Sequence, residues 1–488
     1  MRNSHEKAPN SMRKISCAYI ISRADRPATA AQDITIDGDT ITSVSAASGD
    51  SEIFAIPALV NCHDHGRAAR PSSIGGAGKP LESWLSYTGL LPPVDPYLNS
   101  LVSCAHSALG GVGTVMMHYT RAQGLTDLPT EAAEIARAAR DVGIRVGFAV
   151  SMKDRNPLVY GPSEPILAAL PADARAEIEK RLLKAPLKPL EFIALVEAVS
   201  AAAHSPTFDV QFGPNGVQWC THELLEAIAD ASKRTGRHIH MHLLETRYQR
   251  EWLDKNYPDG VVKYLDSIGF LSPRLTLAHC VWTRPDELEI LAARGVTISA
   301  NHSSNLHLRS GIPPVQTMLA KGCNVALGID AGAFDEDDDA VREMRVAKLL
   351  QVGIGFDVKV NYSDILRMAF CTGHLGVMNK ARDGRLEAGE PADLLLLDWG
   401  KINDEKLRTD IDPIPLLFAR ANASHIAELI VGGRTVVKNS TVTNIDYPAA
   451  RREVLDRMRA GLKSEPLVAA MPMLEDAIKR FYRDPVCC

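Results

Sequence analysis

An apolar run that ends in a His-x-His pair begins the longest regular part of the chain: Pro57-Ala58-Leu59-Val60-Asn61-Cys62-His63-Asp64-His65-Gly66. Side chains alternate between the two faces of a β-strand, so His63 and His65 point to the same side if this run is a strand. Two imidazoles placed in this way can bind one metal ion, and neutral imidazole suits zinc or iron. The pair alone is a weak motif, and its meaning depends on the residues that the fold brings beside it.

Downstream of residue 56, short apolar segments alternate eight times with amphipathic helical segments. The predicted strands are residues 56–62, 113–118, 145–151, 209–213, 238–243, 275–280, 296–300 and 324–329. They lack the polar alternation of a half-exposed strand, which is typical of strands covered on both faces. Eight strand–helix units in this order predict an α/β fold with a parallel (β/α)₈ barrel.

Further strand-like segments lie outside the barrel, at residues 15–21, 33–36, 40–44, 389–398 and 427–437. The tripeptide Asp37-Gly38-Asp39 between two of them has the composition of a hairpin turn. We therefore expect both chain ends to form one small β-sandwich domain. The predicted organisation is a disordered lead, the β-sandwich domain, the barrel and a C-terminal helical extension, at residues 1–11, 12–55 with 384–446, 56–383 and 447–488.

The overall composition argues against several classes of protein. With a formal net charge of −5 and 45% hydrophobic residues, the chain is typical of a globular protein without a nucleic-acid-binding surface. Nine cysteines, an odd number, do not suggest a disulfide framework. No apolar stretch approaches the length of a transmembrane helix, and the N-terminus lacks the apolar region of a signal peptide. These features predict a cytoplasmic protein with neither a membrane nor a nucleic-acid partner.

The ends of the predicted barrel strands carry polar residues that belong together chemically. Reactive side chains of a (β/α)₈ barrel lie at the carboxyl ends of its strands. At the ends of strands one, five, six and eight the sequence places His63 and His65, His242 and Glu245, His279, and Asp330. Imidazole nitrogens and carboxylates suit one divalent metal ion. Their coincidence at four strand ends is a much stronger signal than the His-x-His pair alone.

This set of motifs resembles the amidohydrolase superfamily. The resemblance is carried, in chain order, by His63-x-His65, His242-x-x-Glu245, His279, Ser304-Asn305-Leu306 with Leu308 and Ser310-Gly311, and Leu327-Gly328-Ile329-Asp330. Within the superfamily, the pattern is most similar to the mononuclear branch of aminoheterocycle deaminases and triazine chlorohydrolases. Residues 389–398 and 430–434 also resemble the second domain of that family, so the resemblance spans nearly the whole chain.

The resemblance implies an enzyme and assigns roles to its residues. The implied metal ligands are His63, His65, His242 and Asp330. The implied catalytic groups are Asp330, which takes a proton from the metal-bound water, His279, which orients the hydroxide, and Glu245, which protonates the ring nitrogen and the leaving group. The expected metal is one divalent ion, Zn²⁺ with Fe²⁺ as the alternative, and the expected assembly is a homodimer or homotetramer.

The implied reaction is attack of a metal-bound hydroxide on an sp² ring carbon of a small nitrogen heterocycle, with release of ammonia. Two alternatives use the same residues: hydrolysis of a cyclic amide, and hydrolytic removal of chloride, thiol or amine from a triazine-like ring. A non-catalytic scaffold on the same fold is a more remote alternative, because such proteins usually lose metal ligands. Every ligand position is filled in this sequence.

Three departures from the family pattern bear on metal count and substrate. The end of strand four reads Gln211-Phe212-Gly213-Pro214-Asn215-Gly216, without the lysine of binuclear relatives, which favours a single metal ion. Asn215 stands where similar nucleoside deaminases commonly have a histidine, which argues against an adenosine-like substrate. The segment after Asp330 reads Ala331-Gly332-Ala333, so the rim of the pocket also differs.

Five further residues are candidate substrate contacts: Trp84, His118, Asn215, Trp219 and Asn305. The two tryptophans could stack on a flat ring, although packing is an equally ordinary role for such side chains. His118 ends strand two at the mouth of the barrel. His240 is two residues before His242 on the same strand face, one layer deeper, and we expect it to be a hydrogen-bonded packing residue.

Overall fold

The computed structural model describes residues 12–47, 49–330, 336–408, 410–463 and 466–483. Its centre is a sheet of eight parallel strands: Leu59–Asp64, Val112–Tyr119, Arg145–Met152, Phe208–Pro214, Ile239–Leu243, Leu275–His279, Thr297–Ala300 and Asn324–Leu327. The first and last strands meet where the backbone N–H of Asp330 donates to the carbonyl of His63 at 2.8 Å. The predicted (β/α)₈ barrel is confirmed. The predicted disordered lead, residues 1–11, lies outside the described residues.

The first barrel strand differs from its prediction. Residues 56–62 cover parts of two strands: Ile53–Pro57 pairs in the second sheet, whereas Leu59–Asp64 belongs to the barrel. Both strands are almost wholly buried, and the residues that join them are apolar, so hydrophobic periodicity alone does not separate them. The correction places His63 inside the first barrel strand and His65 immediately after it.

Helices surround the barrel and follow it along the chain. Their bounds are Leu81–Thr88, Pro96–Leu109, Leu128–Val142, Glu164–Ala168, Ala172–Leu182, Pro189–Ala203, His222–Thr235, Arg247–Asn256, Val261–Ser267, Pro285–Ala293, His302–His307, Val315–Ala320, Ala340–Gln351, Tyr362–Phe370, Gly373–Met378, Trp399–Ile402, Pro413–Arg420, Tyr447–Leu462 and Leu467–Arg483. Local sequence explains many of the ends. Asp127 accepts a hydrogen bond from the backbone N–H of Thr130 at one helix start, and Gly143 ends the same helix in a left-handed conformation.

The second sheet combines strands from both chain ends, as predicted. Its strands are Arg13–Ile20, Thr29–Asp37, Thr40–Ala46, Ile53–Pro57, Leu394–Asp398, Ile426–Val431, Arg434–Lys438 and Thr441–Val442. Ile15, Ile34, Ile41, Leu394 and Ile430 share one buried apolar core between its two halves. The predicted hairpin at Asp37-Gly38-Asp39 forms, and the carbonyl of Asp39 accepts a hydrogen bond from the N–H of Ala392 at 2.8 Å. A separate two-stranded hairpin joins Gly353–Ile354 to Asp357–Val358.

Three segments distant in sequence form a helical cap, defined here as residues 81–91, 158–183 and 467–483. They share an apolar core of their own, which includes Tyr87, Leu90, Val159, Ile166, Leu170, Ile178, Leu467, Met471, Leu474 and Ile478. The last helix, Leu467–Arg483, lay in the segment predicted as a helical extension. Because it packs on the other two cap segments, it is an integral part of the fold.

Within the described ranges, none of the helices combines the length and apolar character needed to cross a lipid bilayer.

Candidate active site

The strand ends bring the predicted metal ligands together in one buried cluster. Nε2 of His65 lies 3.0 Å from Oδ1 of Asp330, and Nε2 of His63 lies 3.3 Å from the same oxygen. Ligand atoms of His63, His242 and His279 form a second group, in which all separations are within 4.8 Å. Nitrogen and carboxylate donors at this spacing fit one divalent cation.

The unsatisfied nitrogens of the cluster support the same fit. Nε2 of His63 and Nε2 of His279 are buried and make no hydrogen bond to any described residue. Buried polar atoms in folded proteins nearly always have a partner, so an unpaired nitrogen beside a carboxylate calls for an explanation such as a metal ion. The geometry and chemistry of these donors therefore fit a metal ion.

A hydrogen bond at Nδ1 fixes each ligand imidazole from behind. These bonds join His63 to Nε2 of His240, His65 to the carbonyl of His118 and His242 to the carbonyl of Asn215, at 2.7, 2.9 and 2.7 Å. Such contacts set the orientation of the ring and leave Nε2 directed into the cluster. The prediction that His240 is a hydrogen-bonded packing residue is confirmed.

Burial keeps the site histidines neutral. Desolvation lowers the pKa of His63 to about 3, and it also lowers the pKa values of His242 and His279. A neutral imidazole has a free lone pair on one nitrogen, which is the form that binds metal. The three rings are therefore ready to act as ligands or proton acceptors near neutral pH.

Asp330 is held as a carboxylate. Burial alone would raise its pKa, but the adjacent His63 and His65 rings outweigh desolvation and hold the pKa of Asp330 well below its usual range. The hydroxyl of Ser304 donates to Oδ2 at 2.6 Å and fixes the second oxygen. An ionised, immobilised carboxylate can serve as a metal ligand and as a proton acceptor.

Glu245 has the opposite electrostatic character. Its side chain is 2% exposed, its Oε2 lies 3.6 Å from Nε2 of His279, and its Oε1 accepts a hydrogen bond from Ser310 at 3.4 Å. Burial raises the pKa of Glu245 well above its usual value, and the carboxylates of Asp330 and Glu82 add to the increase. The pKa values of the two acidic groups are therefore shifted in opposite directions, an arrangement suited to paired proton acceptance and donation.

Backbone geometry turns several of these side chains toward the centre. Leu244, His279, Cys280 and Asp330 have positive φ angles of 52°, 75°, 49° and 62°. This left-handed region is unfavourable for residues other than glycine, and such residues cluster at functional sites. Leu244, His279 and Cys280 end or directly follow a barrel strand, and Asp330 lies three residues beyond one, so the unusual angles occur where the chain leaves the barrel.

Three of the predicted substrate contacts instead support the ligand shell. Oδ1 of Asn305 lies 2.8 Å from Nδ1 of His279, and Asn305 is fully buried. Asn215 holds His242 through its carbonyl, and its side chain accepts a hydrogen bond from Ser151 at 2.7 Å. His118 is also fully buried, with Nε2 3.0 Å from the carbonyl of Gly213.

The two candidate tryptophans make packing contacts with nearby side chains. Trp84 packs against Leu81 and Leu308, and the guanidinium of Arg67 lies 4.9 Å from its ring centre. Trp219 makes an edge-to-face contact with Tyr160, with 5.6 Å between ring centres. Packing accounts for both positions, and substrate stacking by either residue stays a prediction.

Replacing Asn305 with alanine is expected to lower kcat while leaving metal content unchanged. The substitution removes the hydrogen bond that orients His279, a loss of outer-shell support worth about 10–100-fold in activity. Steady-state kinetics and metal analysis of the purified variant measure both quantities. Wild-type kcat in the variant would show that His279 needs no orientation by this residue.

A cavity of about 650 Å³ lies beside the cap, lined by cap residues and by residues that follow barrel strands five, six and seven. Glu82, Thr246 and Ser310 line it. Thr246 follows Glu245 in the chain, and Ser310 donates a hydrogen bond to Glu245. The helix Leu467–Arg483 provides part of the wall, through residues that include Ile478 and Tyr482. The cavity is within the size range of small-molecule sites, about 300–1,000 Å³.

Three residues at this site are not among those predicted: Ser304, Ser310 and Glu82. Ser304 and Ser310 belong to a motif that resembles the family. Their contacts with Asp330 and Glu245 depend on the conformation of the loop that follows strand seven. Glu82 is two residues from Trp84, a predicted substrate contact, in the helix Leu81–Thr88. The sequence signal that could have identified Glu82 was a carboxylate among the apolar residues Leu81, Trp84 and Leu85.

Comparison with known proteins gives matches over most of the chain. A family model described as Amidohydrolase family matches residues 54–436. A 5-methylthioadenosine/S-adenosylhomocysteine deaminase of Pelotomaculum thermopropionicum is 28% identical over 443 residues, 87% of this chain and 93% of that protein. A 5'-deoxyadenosine deaminase of Methanopyrus kandleri is 29% identical over 407 residues, 82% of this chain and 84% of that protein.

Solved structures share the fold at lower identity. A variant of the atrazine chlorohydrolase of Arthrobacter aurescens, in complex with zinc and atraton, has a TM-score of 0.75 at 21% identity and covers 91% of this chain and 98% of its own. An adenosine deaminase of Xanthomonas campestris with bound zinc has a TM-score of 0.73 at 19% identity and covers 92% of this chain and 98% of its own. These likenesses show the barrel fold.

Proposed function

The chain belongs to the amidohydrolase family, and from this premise we propose that it is a metal-dependent hydrolase that deaminates a nitrogen heterocycle. The observation that carries the proposal is Glu245. It is a buried carboxyl group with a raised pKa, 3.6 Å from His279 and beside a cluster of metal-binding donors. Protonation of a ring nitrogen makes the adjacent carbon electrophilic, and a carboxylic acid that stays protonated near neutral pH can provide that proton.

We assign the ligand role to His63, His65, His242 and Asp330. A divalent ion bound there would act as a Lewis acid and would lower the pKa of a bound water towards about 7. Zinc is the proposed ion rather than ferrous iron, and a single ion is proposed because no lysine ends strand four.

The side chains divide the proton transfers between them. Asp330, held ionised by its neighbours, takes a proton from the attacking water. His279, oriented by Asn305, directs the attacking oxygen and shares in that transfer. Glu245 donates its proton to the ring nitrogen, receives through His279 the proton that Asp330 took from water, and passes it to the amine, which leaves as ammonia. The hydroxyl proton that is lost as the C=O bond forms restores Glu245. Burial of all three groups strengthens their interactions and excludes bulk water.

The names of the relatives favour ammonia as the leaving group. Curated relatives are named as deaminases of adenosine derivatives, so 6-aminopurine nucleosides are the first substrates to test, although Asn215 replaces the histidine of similar nucleoside deaminases. The same residues could open a cyclic amide or remove chloride, thiol or amine from a triazine-like ring. Homodimer or homotetramer formation and a cytoplasmic location stay predictions.

Metal analysis combined with an ammonia-release screen tests the proposal. We expect one equivalent of zinc per chain, loss of activity on chelation, and ammonia release from at least one aminopurine, aminopyrimidine, pterin or aminotriazine. Chelation should also lower the Tm, because a metal that binds only the folded state stabilises it. A uniformly negative screen with metal present would reject the deaminase assignment, and two equivalents of metal would reject the mononuclear one.

A further inference from the structure

Glu82 is a buried carboxylate near the reacting groups for which the proposed reaction has no use. It lies in the first turn of the cap helix Leu81–Thr88, its side chain is 5% exposed, and it lines the cavity. No Lys, Arg or His side chain of the described chain lies within ion-pair distance of it. Burial raises the pKa of Glu82, and a buried carboxyl group without a cationic partner is costly in its charged form, so its retention calls for a functional reason.

Two hydroxyl groups fix one oxygen of this carboxylate and leave the other for a ligand. Oε1 of Glu82 accepts hydrogen bonds from Thr246 at 2.6 Å and from Tyr160 at 3.1 Å. Among the described residues, none donates a hydrogen bond to Oε2 of Glu82. Each oxygen of a carboxyl group can take part in hydrogen bonds, so Glu82, which lines the cavity, retains this capacity at Oε2.

A closed ring of contacts ties Glu82 to Glu245. Thr246, which donates to Glu82, directly follows Glu245 in the chain. The backbone N–H of Glu245 donates to Gln249 at 2.8 Å, and the amide of Gln249 donates to Tyr160 at 3.3 Å. The hydroxyl of Tyr160 in turn donates to Glu82. The position of Glu82 is therefore fixed relative to Glu245, the group that would protonate the ring.

We propose that Glu82 binds a hydrogen-bond donor on a substituent of the substrate ring, through the oxygen that no other residue occupies. The inference rests on the proposed function, because it places the reacting ring beside Glu245. The cavity of about 650 Å³ has room beyond a bare heterocycle. The substrate is therefore an aminoheterocycle with a hydroxyl- or amine-bearing substituent directed at the cap.

Ligand binding to the full-length, zinc-loaded protein tests this without any turnover. The probes are 9-(3-hydroxypropyl)purine, 9-(3-aminopropyl)purine and 9-propylpurine, which lack the amino group that would leave as ammonia. Titration calorimetry gives a Kd for each. We expect at least one donor-bearing probe to bind the wild type about 10–100-fold more tightly than 9-propylpurine, the range for a hydrogen bond to a charged group.

The variants Glu82→Ala and Glu82→Gln should remove most of that preference while binding 9-propylpurine as the wild type does, which also shows that they fold. Glu179→Gln is the matched control, since Glu179 is an exposed cap residue paired with Arg175 at 2.8 Å, and it should keep the full preference. A preference for the amine alone would identify a cationic donor, and a preference for the hydroxyl would identify a neutral one.

The inference is overturned if the wild type shows no preference, if it binds none of the probes, or if both Glu82 variants keep the preference. The outcome is separable from that of the proposed reaction. Ammonia release that does not depend on Glu82 would leave the deaminase intact and reject this contact. A Glu82-dependent preference in a protein that releases no ammonia would support this contact and reject the deaminase.

Discussion

Glu245→Gln is expected to bind metal as the wild type does and to lose about 10²–10⁴-fold in kcat, the usual contribution of general acid–base catalysis. The amide preserves the size of the side chain but supplies no transferable carboxyl proton. Glu245 is not one of the assigned ligands, so metal content should be unaffected. Steady-state kinetics on the substrate found by the ammonia screen, together with metal analysis, measure the two effects separately.

Glu343→Gln is the matched control for this substitution. Glu343 has the same 2% exposure as Glu245, but it accepts a hydrogen bond from the backbone N–H of Ser303 at 3.0 Å and has no contact with His279. A general cost of changing a buried glutamate would appear in both variants. Near wild-type turnover in Glu245→Gln would reject its role as the proton donor.

The pH dependence of kcat/KM provides a second measure of the same group. Because burial raises the pKa of Glu245, its protonated form persists into a higher pH range than an ordinary glutamate allows. Activity that needs this proton should be retained near neutral pH and fall as pH rises through the raised pKa. In Glu245→Gln this descending limb should be absent from the residual activity.

The centre of the site could be predicted from sequence because one topological rule places it. Polar residues at the carboxyl ends of parallel barrel strands meet at one face, whatever the loops between them do. His63 and Asp330 are 267 positions apart, and yet the rule alone brings them within contact distance. The start of the first barrel strand could not be predicted as well, since two successive buried strands are joined by Ala58 without a polar residue between them.

The outer part of the site could not be predicted, because it depends on contacts that no local pattern specifies. The apolar stripe at Leu467, Met471, Leu474 and Ile478 has helical spacing and indicates that one face is covered. It does not say what covers it, and the cap core joins segments hundreds of residues apart. Asn305 shows the same limit, since its motif was visible but its direction toward His279 was not.

Asp330→Asn is expected to cause the other large loss, because it affects both metal binding and proton transfer. The carboxylate lies 3.0 Å from Nε2 of His65 and 3.3 Å from Nε2 of His63, and a neutral amide is a weaker ligand and a poor base. We expect metal content well below one equivalent and a kcat lower by about 10³-fold even with added zinc, within the range for loss of a general base.

Ser304→Ala separates the position of Asp330 from its charge. It removes the 2.6 Å hydrogen bond to Oδ2 but keeps the carboxylate, so the expected loss is about 10–100-fold, as for other outer-shell contacts. Metal analysis and kinetics with and without added zinc distinguish the two variants, since excess zinc should restore occupancy in both but full turnover in neither. If Asp330→Asn retains one equivalent of metal and wild-type kcat, Asp330 is neither a ligand nor the base, and the proton must pass to His279 instead.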